Sequence, residues 1–143
     1  PYIRTDVMIN AMYDTAIQRG EVKVMNKHIN RALLGIGDLC RAVDAIIKAP
    51  KPGIYNLASF NLSVADIATA VAKKLDVKLI DNGNTQNAYD FSLDCTMFER
   101  RYDFTFNENP ASIVDSLIQG YADSKTSRRD NFMIYQWEKD GKL

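Results

Sequence analysis

The chain has 143 residues, 46% hydrophobic and 25% charged, the proportions of a globular domain with a core of its own. Eighteen lysines and arginines balance eighteen aspartates and glutamates, so no overall field draws the molecule to nucleic acid or to an anionic membrane. No apolar run reaches the roughly 18 residues of a membrane span and no secretory leader pattern opens the sequence, which makes a cytoplasmic protein the expectation.

Pro1 stands where an initiator Met would, and we expect a native start upstream. Residues 5–19 read as a helix: Thr5 or Asp6 can cap it, and Gly20 follows its end. Its apolar positions (Val7, Met8, Ile9, Ala11, Met12, Tyr13, Ala16, Ile17) run nearly all round it, so it should be buried on several sides. Glu21 to Met25 alternates like a strand with one wet face, and after a polar turn over 26–30, Ala32 to Ile36 is a second strand. Asp38 is expected to cap a helix to about Lys48, with Leu39, Ala42, Val43, Ile46 and Ile47 as its core face; Pro50 and Pro52 stop it.

Residues 53–58 form an apolar run of strand length, the pattern of a strand covered on both faces. Ser63-Val64-Ala65-Asp66 is a capping box with Asp in place of Glu and opens a helix to about Leu75. Val77 to Ile80 is a strand, 82–87 a polar loop, and 89–93 returns to strand-like alternation. Asp94 is expected to cap a short helix through Arg101, and Asn109-Pro110 supplies the cap and first-turn proline of a last helix to about Tyr121. Residues 122–143 begin polar and end on Phe132, Met133, Ile134, Tyr135 and Trp137, a tail partly docked by its apolar end. The order is α/β, with short strands and about five helices. Those helices are too few for strands buried on both faces, so the pattern anticipates a further layer.

Chemistry is sparse along this pattern. Cys40 and Cys95 lie far apart in helix-like segments; two buried thiols of a reducing compartment is a simpler reading than a disulfide or a metal pair. His28, the one histidine, sits in a polar turn with no Ser or Cys beside it, so a surface role is expected. There is no metal-ligand spacing, no GxGxxG and no P-loop. Asp38/Asp44 and Asp90/Asp94 read as caps and solvated faces. Arg31 is different: a guanidinium at the mouth of an apolar run offers a planar fork of donors suited to phosphate oxygens. An ion pair with Asp6 or Asp90 would account for it too, and both readings stand.

Four stretches then carry a resemblance. Ile3-Arg4-Thr5-Asp6-Val7-Met8-Ile9-Asn10 is similar to a helix opening, and Val22-Lys23-Val24-Met25-Asn26 to a strand that ends on a bulky residue. Arg31 to Asp38 matches an Arg-Asp-(aromatic)-x-x-Val-x-Asp stretch at both ends, and Ile54 to Ser59 through Ser63-Val64 is similar to a strand-to-helix step. With these, residues 1–121 resemble the C-terminal, substrate-binding half of an extended short-chain dehydrogenase/reductase of the NAD-dependent sugar-nucleotide epimerase/dehydratase family.

The resemblance implies an α/β fold without the N-terminal Rossmann dinucleotide-binding part. It implies a nucleotide sugar as ligand, with Arg31 on its diphosphate, Met25 against its base, and Asp6 and Val7 lining the site at a helix N-terminus. Asp6 as a plain N-cap is the competing reading. NAD belongs to the parent family; without a glycine-rich turn, nothing in this chain is expected to hold it. The family's Tyr-x-x-x-Lys pair lies upstream of the matched part, and neither Tyr13 nor Tyr89 has Lys four residues on. No catalytic residue is therefore assigned, and the chain is expected to be inactive alone.

There are departures from the pattern. Ala32 replaces an Asp, Phe60 stands where glycine is common, and residues 82–88 hold no second phosphate arginine, only amides such as Asn84, Gln86 and Asn87. A stand-alone, non-catalytic binding or interaction module of the same fold is the alternative function. The expected partners are a nucleotide sugar, the missing Rossmann domain, and further copies of the chain in a homo-oligomer formed through helix 5–19 and run 53–58.

Overall fold

The structure, a computed structural model, describes residues 4, 6–84 and 88–122. In chain order its elements are α1 (Met8–Arg19), β1 (Glu21–Val24), β2 (Asn30–Leu33), α2 (Ile36–Lys48), β3 (Phe60–Ser63), α3 (Val64–Leu75), β4 (Lys78–Asp81), α4 (Thr96–Tyr102) and α5 (Pro110–Ala122). The α/β expectation holds, with five helices and a few short strands. The expected tail, 122–143, lies outside the described residues beyond Ala122.

Local signals set several element ends. Gly20 closes α1 in the left-handed region (φ 67°), its N–H bonding Ala16 O. The Ser63 hydroxyl accepts the Asp66 N–H (3.0 Å) and donates to the Asp66 carboxylate (2.7 Å), the predicted capping box. Asn109 Oδ1 accepts the N–H groups of Ala111 and Ser112 at 3.0 and 3.1 Å, one residue ahead of Pro110.

Other caps differ from expectation. Val7, not Asp6, is the N-cap of α1, without a side-chain bond; Thr5 is outside the described residues. Gly35 begins α2, and Asp38 lies inside its first turn, facing another segment. Asp94 sits one residue before the Cys95 N-cap of α4 and accepts the Thr96 N–H at 2.9 Å.

The strands form two small sheets. β1 runs parallel to β4 (Glu21 opposite Lys78), and β2 antiparallel to β3 (Arg31 opposite Leu62). α1 and α3 pack on β1, and α5 on α1 and α3. The core closes around Ile9, Met12, Tyr13, Val22, Ile67, Val71 and Val114, all buried. Each such aliphatic side chain contributes roughly 1.5–3 kcal/mol by leaving water. The apolar breadth of α1 is thus taken up inside the chain's own core, with Ile17 left exposed.

A second group gathers on Phe98, fully buried, with the rings of Tyr55, Tyr102, Phe104 and Phe106 at 4.7–6.2 Å. α2 belongs to this side but has no extensive packing against another helix or strand. Its predicted core face holds in part: Ala42 is buried and Leu39 and Ile46 are half-buried, whereas Val43 and Ile47 are exposed.

Two predicted strands are not formed. In 53–58, residues 54–57 have no backbone partner among the described residues, and Ile54 is 94% exposed; the pairing strand is β3 instead. Residues 88–93 run beside β2 and β3, but their ladder is largely made by side chains. Asp90 Oδ1 accepts the Asn30 N–H at 2.8 Å, and the Asn61 amide bonds both the N–H and the C=O of Leu93 at 2.8 and 3.0 Å. Asn and Asp mimic a neighbouring backbone here, so alternation appears without a strand. Cys95 is buried as expected, but Cys40 is exposed; neither is in a disulfide.

Candidate functional site

The turn after β1 places the first group. Asn26 takes a left-handed conformation (φ 52°), which Asn tolerates better than most residues. Its N–H bonds Gly83 O at 3.0 Å, and its C=O accepts the Ile29 N–H at 3.1 Å. The chain reverses, leaving Met25 half-exposed at the tip of β1 and returning along β2 to Arg31.

Arg31 and Met25 meet in a cleft of about 280 Å³, walled by Met8 and Met12 of α1 and floored by Asn26 and Ile29. Three thioethers form a soft, polarizable wall on one side. On the other, the Arg31 guanidinium lies 5.6 Å from the centre of the Phe91 ring, and its Nη1 donates to Asn30 O at 2.9 Å and to Tyr89 O. Asp90 makes this possible by fastening residues 88–93 to β2. The Asn30 backbone and amide N–H groups hold its carboxyl below the usual aspartate range, with the Arg31 and His28 charges adding to the effect.

Neither ion-pair reading of Arg31 describes the structure. Asp6 forms a forked pair with Arg4 (3.1 and 2.6 Å), and Asp90 bonds Asn30. Among the described residues Arg31 has carbonyl partners and no carboxylate. The cleft therefore combines a cation without a direct counter-ion and an apolar, polarizable surface. That chemistry suits an anion attached to a flat ring.

The other two expected site residues lie elsewhere. Val7 lines a separate, mainly apolar cavity of about 570 Å³ with Ile9, Leu33, Leu34, Ile36 and Ile113. Asp6 lines neither cavity. His28 is exposed. Among the described residues no group of three or more His, Cys, Asp or Glu side chains could hold a metal ion, and no helix is long and apolar enough to cross a membrane.

The turn from β2 into α2 contains two glycines, Gly35 and Gly37, at the end of a helix where a phosphate could lie against backbone N–H groups. A carboxylate is already there. Glu108 Oε2 accepts the N–H groups of Gly37 and Asp38 at 3.1 and 3.3 Å, and the Ser59 hydroxyl accepts that of Gly35 at 2.9 Å. A Cβ at Gly35 would fall 1.8 Å from Glu108 Oε2, so the carboxylate fills the cradle left by the glycine.

Asp38 returns the arrangement. Fully buried, it accepts the Asn107 and Glu108 backbone N–H groups at 3.0–3.1 Å and pairs with Arg41. Burial works to raise its pKa, but the Ser59 hydroxyl, the two backbone donors and Arg41 outweigh that and hold it low. Sequence reasoning missed this reciprocal clasp, since seventy residues separate its halves. The carbonyl of Tyr89 on Arg31 was equally invisible.

The Tyr-x-x-x-Lys expectation needs correction. The spacing is absent at Tyr13 and Tyr89 but present at Tyr121/Lys125 and Tyr135/Lys139. Lys125, Tyr135 and Lys139 lie outside the described residues, so no geometry joins either pair to the cleft.

No protein-family model matches the sequence, and no curated protein does. Solved structures match the fold. The dTDP-glucose 4,6-dehydratase of Bacillus anthracis, solved with NAD, aligns at TM-score 0.69 and 14% identity over 87% of this chain and 42% of its own. UDP-N-acetylglucosamine 4-epimerase of Bacillus cereus aligns at 0.69 and 19%, over 87% and 43%. L-threonine dehydrogenase of Phytophthora infestans aligns at 0.64 and 13%, over 78% and 38%. The chain has the fold of part of these enzymes. It spans less than half the length of each. The resemblance read from the motifs thus holds as a likeness to the nucleotide-sugar epimerase/dehydratase fold over part of its extent, and that fold also serves an amino-acid dehydrogenase.

Proposed function

We propose that this chain is the sugar-nucleotide-binding part of an NAD-dependent nucleotide-sugar epimerase or dehydratase, and that it does not turn over alone. The observation that carries the reading is the meeting of Arg31 and Met25 in one cleft against α1, within a chain of this fold. The guanidinium exchanges the Tyr89 and Asn30 carbonyls for phosphate oxygens, a stronger, charge-assisted pairing. The thioethers of Met25, Met8 and Met12 lie against the base. An amino acid, the substrate type of the dehydrogenase relative, has no flat ring attached to a diphosphate and would leave the thioether wall unused.

NAD, when bound, accepts and returns hydride in such enzymes. The residues of this chain do not fit it: the glycine-bearing helix start is filled by Glu108, and no other glycine-rich strand-to-helix turn stands in the sequence. The dinucleotide site belongs to a Rossmann part not among these residues. A cytoplasmic setting completes the reading and suits two cysteines outside any disulfide.

The test joins the chain to the unmatched part of the Bacillus cereus epimerase and measures UDP-sugar binding by calorimetry. Arg31→Ala should weaken binding by about 2–4 kcal/mol; an unchanged dissociation constant would remove Arg31 from the site. The chain alone should neither take up NAD nor convert a UDP- or dTDP-hexose when NAD is supplied. Turnover by the chain alone, abolished in Tyr121→Phe, would overturn the inactive reading. The second reading, a non-catalytic module, draws on the core that α1, α3 and α5 build from this chain's own residues. Sugar-nucleotide binding by the chain alone at full affinity would favour it.

A further inference from the structure

The binding role assigned to the cleft uses its cation and its thioethers and leaves two further groups in it without a part, Thr15 and Lys23. Thr15 continues the row of Met8 and Met12 along one face of α1, at spacings of four and three. Lys23 stands two residues before Met25, and both side chains leave β1 and its end on the side away from the buried Val22 and Val24. The chain turns back at Gly20, so Thr15 and Lys23 share one end of the cleft, and Met8 and Met25 the other.

The two groups have opposite hydrogen-bonding characters. The Thr15 hydroxyl donates its proton to Ala11 O at 2.9 Å, which leaves only lone pairs to offer a ligand. The Lys23 ammonium carries three protons and no acceptor. Glu21 occupies one of them at 3.1 Å, and the side chain is 40% exposed. An acceptor beside a donor matches a lactam edge, a ring N–H next to a carbonyl. Uracil, thymine and guanine carry that edge. Cytosine and adenine carry its opposite, a ring-nitrogen lone pair next to an amino group. Either would set lone pair against lone pair at Thr15 and N–H against N–H at Lys23, and such mismatches reject a ligand.

We propose that Thr15 and Lys23 read the base of the bound nucleotide and select one with a lactam edge. Thr15 Oγ1 accepts the ring N–H, and Lys23 Nζ donates to the adjacent carbonyl. The selection rests on the sugar-nucleotide reading of the cleft and adds to it the class of base. The thioether wall contributes affinity without preference, since every base has a flat face to lay on it; the choice falls to the two polar groups at the far end.

Ligand-observed NMR on the 143-residue chain, with competition to give dissociation constants, compares bases of equal size: UDP with CDP, and GDP with ADP. In each pair the lactam base should bind about 10- to 100-fold tighter, the value of a hydrogen bond to a charged group. Lys23→Met keeps the stem, removes the ammonium, and should bring UDP and CDP within about threefold of one another. The diphosphate of 3-methyluridine, which lacks the ring N–H, should bind about tenfold more weakly than UDP to the unmutated chain, and Thr15→Val should narrow that gap. CDP bound as tightly as UDP, ADP as tightly as GDP, or 3-methyl-UDP as tightly as UDP would each overturn the base selection. If all four nucleotides bind alike and Arg31→Ala releases them, the sugar-nucleotide reading stands without it. If none of the four binds, that reading falls together with the selection.

Discussion

Gly35 and Asp38 show how much can depend on one missing methyl group and one buried charge. Gly35 has an ordinary φ, so its need for glycine is spatial: a Cβ would displace the Glu108 carboxylate from the N–H groups of Gly37 and Asp38. Gly35→Ala should destabilise by about 1–3 kcal/mol, the cost of losing hydrogen bonds to a charged group. Combined with Glu108→Ala the loss should be clearly less than the sum of the two, a coupling readable from denaturant midpoints. Asp38→Ala strips partners from two backbone N–H groups and from the partly exposed Arg41 together, and a loss of about 1.5–3 kcal/mol is expected, the range for hydrogen bonds to a charged group. A midpoint shift smaller than that of an exposed aspartate such as Asp44 would show that the clasp does not hold.

At the scale of elements, helix ends were more legible than strands. The Ser63 cap and the Asn109-Pro110 start rest on residues within three positions of one another, so local physics suffices to read them. Ser63→Ala should cost about 1 kcal/mol in thermal stability, and Ser63→Thr should restore most of it. Strand assignment in 53–58 failed for a physical reason. An apolar run records only that its side chains favour burial, whereas a strand also needs a backbone beside it, and the described residues offer none to 54–57. β3 was passed over because Phe60 to Ser63 is short and half-polar; it is defined by β2 alone. Of the expected site residues, Arg31 and Met25 were placed by neighbouring β elements and lie together, while Asp6 was drawn to Arg4, a competitor two residues away.

Across the whole molecule, two groups of side chains are joined largely by polar contacts. One is the core of α1, α3 and α5, and the other is the aromatic set on Phe98 with α2 alongside. Asp38 and Glu108 bridge them. Because burial is outweighed and the folded-state pKa of Asp38 lies below the ordinary 3.8, its contribution is complete above that value and drains away as pH falls through it. Melting temperature should therefore be flat from roughly pH 7 to 5 and fall steeply below 4. Asp38→Asn should flatten that acid limb, and a limb identical to the unmutated protein's would place the sensitivity elsewhere. The parallel pairing of β1 with β4 has a kinetic corollary. Glu21 finds Lys78 only after the intervening helices have brought the chain home, so this small sheet has to close late, and refolding should be paced by that long loop rather than by the quick turns of α1 and α3.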